Sequence, residues 1–547
     1  MVAEVIIDLS SDGVDKIFDY NADDGITVGS RVVVSFLNRK MQGYVISVKE
    51  HSDYEGKLKD IEEVLDEGVI GGDLLKLMDF MTAKYNLRRI DVLHLYLPPN
   101  MRDGKVKELK RKFVTLNPEM SYDEICAAVG KNRARQTELV EVLSAEGEFL
   151  SNLTTLYGST VKTLIAKNLL SVTDRAVRRA PNGGIEAREE FTLTPDQKKC
   201  FEEITVSDGG KFLLHGVTGS GKTEVYMRAI EASVKRGKTA VMLVPEISLT
   251  AQFYKLFKSR FFDEVAIIHS GLSAGERFDE WVRIMSGEAR IVIGARSAIF
   301  SPLKNIGVII VDEEHDGSYI SESNPRYDAK EVAAFRAEQC GAALVLGSAT
   351  PSVDTYYEMC CGKYRLLSMP KRINEKCLPE IEIVDMCREI KLGNTGLLSG
   401  RLERALGETL KNGNQAMIYL NRRGHSSFVM CRECGYVAKC SECDISLTYH
   451  IEEDKLKCHY CGKKFYMITE CPECGGKNLR YGKTGTEKVA RELHRLFPEA
   501  RILRMDNDTT REKDGYDKIL GAFYRKEADI LVGTQMIAKG HDFSDVT

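Results

Sequence analysis

"KFLLHGVTGSGKTEVYMRAIEASVKR" occupies Lys211–Arg236, and its reading decides the fold. An apolar run of strand length, a glycine-rich turn and a helix-forming stretch follow one another without a gap. The turn, Gly216–Thr223, fits G-x-x-x-x-G-K-[S/T]. Glycines in such a turn let backbone N–H groups surround phosphates at a helix N-terminus. The lysine reaches the β and γ phosphates, and the Ser or Thr hydroxyl ligates Mg2+. Gly216, Val217, Thr218, Gly219, Ser220, Gly221, Lys222 and Thr223 are thereby assigned to ATP and magnesium. A glycine-rich turn alone binds nothing; the strand before it and the helix after it carry the assignment.

The same rhythm spreads outward from this turn. "TAVMLVP", "EVAIIHS", "ARIVIGA", "IGVIIVDEEH" and "AALVLGSATPS" are short apolar runs, each followed by a turn and a helical stretch. Apolar strands alternating with helices predict a parallel sheet covered on both faces. "VIIVDEEH" delivers Asp312 and Glu313 at the C-terminal end of a strand, where open parallel sheets bind their ligands. Asp312 is expected to hold Mg2+ and Glu313 to orient or deprotonate the attacking water, with Lys222 as the third catalytic candidate. An acidic loop by itself is more often solvated surface; its place downstream of a phosphate loop gives it chemistry. Gln197, in "TLTPDQ", is the candidate reader of the adenine edge, and "LGSATPS" (Leu346–Ser352) a candidate relay to a polymer site.

A second strand–helix series begins at "NQAMIYLNRRG" and resumes at "ARILRMD" and "ADILVGTQM". Between them, eight cysteines stand as four C-x-x-C pairs from Cys431 to Cys474. Thiolates at this spacing chelate two by two, and four of them close a tetrahedral structural zinc site, so four pairs make two sites. Spacing alone permits three ways of combining the pairs. A redox C-x-x-C would come singly, and an iron–sulfur cluster is the lesser alternative. The other seven cysteines are scattered. A disulfide framework belongs to small secreted chains, so the reading is a reducing, cytoplasmic compartment.

Totals agree with an ordinary globular enzyme of several domains: 547 residues, 43% hydrophobic, 29% charged, net charge −4. The charge argues against a uniformly basic nucleic-acid binder but leaves room for local basic patches. The start, "MVAEVIIDLSSDG", does not read as a signal peptide, and no run of 18 apolar residues marks a membrane span. Upstream of the sheet, "GSRVVVSF" and "QGYVISV" predict a β-hairpin, and "DLLKLMDFMTAKYN" a helix. Residues 106–180 predict two helical hairpins ending in a strand, a winged-helix-like layout, with basic runs "KELKRK" and "KNRAR". Residues 181–190 read as a linker.

The order of "GVTGSGKT", "LVPEISLTAQ", "GARSAIFSP", "VDEEH", "LGSATPS" and "VGTQMIAKGHDF" resembles a helicase superfamily 2 core. "VPEISLT", "HSGLS", "DEEHDGSY", "IYLNRRGHS" and the four C-x-x-C pairs narrow the resemblance to the PriA, or primosomal protein N′, family of replication-restart helicases. It extends over essentially the whole chain. The implied architecture is multidomain α/β: two RecA-like parallel-sheet lobes with a zinc-binding insertion, after a small β-rich domain and a winged-helix-like domain. The implied bounds are 1–105, 106–180, 191–385 for the first lobe, and 386–547 for the second with its insertion at 431–480. The resemblance also implies a nested pairing: Cys431, Cys434, Cys471 and Cys474 on one zinc, Cys440, Cys443, Cys458 and Cys461 on the other. Lysines 439, 457, 463, 464 and 477 make the insertion compatible with a surface for DNA and partners.

Two further DNA sites follow from the resemblance. Phe18, Asp19 and Tyr20 match a pocket for the 3′ end of a nascent strand. Tyr319, Arg326 and Tyr327 match an aromatic-rich loop that stacks on unpaired bases or grips phosphate. The expected activity is ATP-dependent 3′-to-5′ DNA unwinding at stalled or branched forks, initiating primosome assembly. Expected partners are forked and single-stranded DNA, other primosomal proteins and single-strand-binding protein. The rivals are a superfamily 2 translocase acting on RNA or plain duplex, and a non-catalytic, zinc-organised fork scaffold. "GTQMIAKGHDFSDVT" ends where such a core would continue into an arginine-bearing motif, so a truncated chain impaired in hydrolysis is expected.

Overall fold

The computed structural model describes residues 1–97, 99–102, 109–129, 133–177, 179, 192–206, 209–245, 251–373, 379–421, 428–450, 453–480, 485–506, 509–510, 515–537, 543 and 545–546. The linker, parts of "KELKRK", "KNRAR", "VPEISLT" and "IYLNRRGHS", and most of "MIAKGHDF" lie outside them. The chain forms two compact units, Met1–Lys376 and Cys377–Thr547.

The first unit opens with a closed five-stranded barrel whose strands are Val2–Ile7, Ile17–Asn21, Arg31–Phe36, Arg39–Lys49 and Lys59–Asp66. The expected hairpin is its third and fourth strands. It turns on only two residues, Leu37 and Asn38, both left-handed at φ 46° and 61°. Positive φ at both central positions matches the right-handed twist of flanking strands, which sets the register from Phe36–Arg39 outward. Helices Gly72–Tyr85 and Arg89–Tyr96 follow and pack against the parallel sheet's own helices. Arg336, fully buried on helix Ala329–Cys340, donates through Nε and a terminal nitrogen to Asp73 at 3.1 and 2.8 Å. Phe80 stacks on Phe335 with ring centres 4.1 Å apart. In the winged-helix-like segment, Lys110–Leu116 pairs with both Glu148–Phe149 and Leu170–Ala176, and four short helices cover a core around Val114, Leu139 and Leu164.

The parallel sheet has seven strands, in the order Val265–Ile268, Ile291–Gly294, Thr239–Leu243, Ile306–Val311, Ala343–Ser348, Lys211–Gly216, Arg365–Met369. Alternate residues bury against opposite layers. Leu213, Leu243, Ile309 and Leu346 join one core; Phe212, Leu214, Met242, Ile310 and Val345 join the other. That is why each strand reads as an unbroken apolar run rather than an alternating one.

The second unit holds a smaller parallel sheet, Ala416–Tyr419, Ile530–Gly533, Ile502–Met505 in spatial order. The cysteine module is inserted after its first strand. It contains a two-stranded pair, Met430–Cys431 with Leu479–Arg480, and a three-stranded antiparallel ribbon, Thr448–His450, Lys455–Lys457 and Lys464–Tyr466. Among the described residues no helix is long and apolar enough to cross a membrane.

Candidate nucleotide site and zinc module

The phosphate loop joins strand Lys211–Gly216 to helix Lys222–Lys235. Gly219 and Gly221 both sit at φ 80°, a backbone region open to glycine at little cost. Gly221 is also closed to a side chain by contact, since a Cβ there would come 2.3 Å from Gln197 Nε2. Lys222 Nζ donates to the Gly216 carbonyl at 2.9 Å, across the loop. Ser220 Oγ is buried with no hydrogen-bond partner among the described residues, so the loop holds a polar group left for a ligand to satisfy. Gln197, 3% exposed, is brought to this loop, but its amide serves the backbone: Nε2 donates to Ser220 O at 3.0 Å and Oε1 accepts from Thr194 N at 2.8 Å.

Asp312 and Glu313 follow strand Ile306–Val311, separated from the phosphate-loop strand by Ala343–Ser348 alone. Desolvation, with the adjacent Glu313 charge, pushes the Asp312 carboxyl up to about 6, while the Tyr226 hydroxyl and Lys222 pull it down. Glu313 takes a left-handed backbone at φ 46°, a strained conformation of the sort that accumulates at functional sites. His315 Nδ1 lies 2.8 Å from Ser348 Oγ, so the acidic motif touches "LGSATPS" directly. The Asp312 carboxylate, close enough to Lys222 to feel its charge, and the Thr223 hydroxyl at the N-terminus of the loop's helix are hard-oxygen donors of the kind that fit Mg2+.

The last acid of the motif, Glu314, was not singled out from the sequence. It is fully buried and accepts from Ser352 N at 2.6 Å, Thr355 Oγ1 at 2.8 Å and Lys330 Nζ at 3.0 Å. Those contacts hold its carboxyl below the usual range despite burial. It therefore ties the motif to the end of "LGSATPS", to the helix Val353–Cys360 that follows, and to helix Ala329–Cys340. Of the two adjacent glutamates in the motif, Glu314 is thus the one that braces it.

Two expected DNA contacts are corrected. Tyr319 and Tyr327 are 1% and 5% exposed and cannot stack on a base as placed. Tyr319 directs its hydroxyl at the backbone carbonyls of Asp312 and Leu243, and Tyr327 packs edge-on against Phe300. Arg326 alone of that trio is exposed. In the barrel, Phe18, Asp19 and Tyr20 are consecutive on one strand and so cannot share a face. Phe18 and Tyr20 point inward with Val5 and Ala3, Phe18 edge-on to Phe36 at 5.0 Å and Tyr20 buried. Asp19 pairs across to Glu4, receives the Ser52 hydroxyl, and shares Lys49 Nζ with Glu4 at 3.0 Å each.

The eight thiols gather into two groups, Cys431, Cys434, Cys471, Cys474 and Cys440, Cys443, Cys458, Cys461, the nested arrangement. All four C-x-x-C turns share one geometry. The residue after the second cysteine is left-handed (Gly435, Asp444, Gly462, Gly475), and its N–H donates to the carbonyl of the first cysteine at 2.9–3.0 Å. Sulfur separations of 3.7 Å (Cys431–Cys474), 3.6 Å (Cys434–Cys471) and 3.7 Å (Cys440–Cys461) compare with the ~3.8 Å edge of a tetrahedron whose Zn–S bonds are ~2.3 Å. Backbone N–H donors at Cys461 and Tyr460 lower the Cys458 thiol, which favours its thiolate form. The donor set fits zinc.

A seven-stranded parallel sheet with a phosphate loop and an acidic motif at its carboxyl edge is the frame of a phosphate-loop NTPase, and the family match makes it a helicase of the DEAD/DEAH class. Residues 194–359 match the DEAD/DEAH box helicase family. Residues 4–98 match the 3′DNA-binding domain of PriA, and residues 440–464 its Cys-rich region. Whole-chain similarity agrees. The replication restart protein PriA of Bacillus subtilis is 41% identical, covering 100% of this chain and 77% of its own. That of Chlamydia muridarum is 35% identical, covering 100% and 75%, and that of Synechocystis 41% identical, covering 80% and 54%. The chain belongs to the PriA family of replication restart proteins.

Proposed function

We propose that the chain is an ATP- and Mg2+-dependent 3′-to-5′ DNA helicase that recognises stalled or branched forks and starts primosome assembly for replication restart. The observation that carries this is the placing of Lys222, Thr223, Asp312 and Glu313 at one edge of one sheet, in a chain that also bears a 3′DNA-binding domain. Lys222 and the loop N–H groups would bind the phosphates, Asp312 and Thr223 would hold the magnesium that neutralises their charge, and Glu313 would direct water to the γ-phosphate. Asp19, with Ser52 beside it, is the remaining barrel candidate to meet a 3′-hydroxyl, and exposed Arg326 the candidate to grip phosphate. The two groups of four thiols would each hold a structural zinc. Forked and single-stranded DNA, single-strand-binding protein and other primosomal proteins are the proposed partners, in the cytoplasm.

Glu313→Gln tests the reading. Fork-stimulated ATP turnover should fall at least about a hundredfold, the scale of a lost general base, while fork affinity by fluorescence anisotropy stays unchanged. Turnover equal to wild type would refute the assignment.

A further inference from the structure

The helix that opens at Lys222 carries Tyr226 one turn later, on the same face, 1% exposed among Val225, Met227, Ala229 and Ile230. A buried phenol needs a partner for its hydroxyl, and here that partner is the acidic motif: Tyr226 Oη donates to Asp312 Oδ1 at 2.9 Å. Among the described residues this is the one side-chain hydrogen bond to the Asp312 carboxyl. A second observation is independent of the first. Gly347, in the intervening strand Ala343–Ser348, has no room for a side chain, because a Cβ there would lie 1.7 Å from Tyr226 Oη. Gly347 has no left-handed backbone to explain it; it stands where the phenol passes to Asp312.

We propose that Tyr226 is a positioning residue for magnesium. It holds Oδ1 of Asp312 in place so that the other carboxylate oxygen faces the phosphate loop, and Gly347 supplies the gap through which it reaches. The inference rests on the ATP- and Mg2+-dependent reading above and adds to it a residue from the loop's own helix. In consequence one hydroxyl joins three sequence motifs: the helix of "GVTGSGKT", the acid of "VDEEH" and the glycine of "LGSATPS". A carboxylate free to rotate would present its oxygens to the cation for only part of the time. Tyr226 removes that freedom before the cation arrives, as preorganised binding requires.

The test uses the whole chain and binding rather than turnover. Fluorescent mant-ATP is held at a fixed concentration and Mg2+ is titrated, for wild type, Tyr226→Phe and Gly347→Ala. Tyr226→Phe keeps the ring and removes only the donor. Its Mg2+ midpoint should rise about tenfold, the scale of a lost hydrogen bond to a charged group. Nucleotide affinity without Mg2+ and at saturating Mg2+ should match wild type, and the melting temperature should stay within a few degrees. Gly347→Ala, which displaces the hydroxyl, should shift the midpoint in the same direction. An unchanged midpoint in Tyr226→Phe overturns the inference and leaves the function standing. So does an equal loss of affinity with and without Mg2+, which marks a merely structural role. Absence of Mg2+-dependent binding by the wild type overturns the function, and the inference with it.

Discussion

The nested zinc arrangement can be decided by counting metal in paired substitutions. The perturbation is Cys→Ser at two positions at once. If Cys431 and Cys474 share a site, Cys431→Ser/Cys474→Ser leaves one zinc per chain, whereas Cys431→Ser/Cys440→Ser strikes both sites and leaves none. Combining neighbouring pairs in sequence order reverses both outcomes. The counts are interpretable only if one site survives loss of the other. Without the inner site, the outer one must close a loop of about 37 residues between Cys434 and Cys471; with it, the inner thiols shorten that path to about 17. Closure entropy grows as (3/2)RT ln n, so the difference is about 0.7 kcal/mol, roughly threefold in affinity. Against roughly 10–16 kcal/mol for a structural zinc, that leaves the remaining site filled. The assay is zinc by mass spectrometry after dialysis against metal-free buffer, scaled to protein. One zinc in Cys431→Ser/Cys440→Ser together with none in Cys431→Ser/Cys474→Ser would refute the nesting and the sulfur geometry behind it.

Two further perturbations probe each unit separately. Arg336→Met strands the partly buried Asp73 carboxylate and the carbonyl of Ile299. About 3 kcal/mol should be lost, and the first unit should melt earlier in scanning calorimetry; an unshifted transition would contradict the clamp between helix Gly72–Tyr85 and helix Ala329–Cys340. In the second unit, desolvation would raise the Asp506 carboxyl, but hydrogen bonds from Thr486 Oγ1 at 2.6 Å and Arg504 at 2.7 Å hold it down to about 2. A carboxyl whose folded pKa is depressed stabilises the fold above its unfolded value and ceases to do so as pH falls through its folded value. Asp506→Asn should therefore cost about 2 kcal/mol in urea unfolding at pH 6–7, and the gap to wild type should narrow between about pH 4 and 2. A gap that stays constant with pH would show that the charge is not its source.

What was legible in the sequence was whatever chain neighbours determine. The phosphate loop needs glycines at fixed offsets between a strand and a helix, and Gly219 and Gly221 meet that need through their own φ angles. The C-x-x-C turns close within five residues, so their spacing announced them. The pairing of turns spans up to 37 residues, and spacing left three choices. The parallel sheet showed itself because strands buried on both faces leave no polar alternation. Exposure was not legible in the same way. Tyr319 and Tyr327 have the composition of a stacking loop, but their burial depends on Asp312, Leu243 and Phe300, which come from other segments. Period-two alternation did bear on the barrel strand, since it forbids Phe18, Asp19 and Tyr20 from lining one pocket wall; only the inward direction of Val5 and Ala3 decides which of them remain outside. Tyr226 lay beyond reach altogether. It looks like any core aromatic in an amphipathic helix until Gly347, more than a hundred residues away, is seen to make room for its hydroxyl. The sequence thus offers the groups proposed to touch nucleotide and metal, because their chemistry is local. The groups that aim them are disclosed by the fold, because aiming requires a second element to push against.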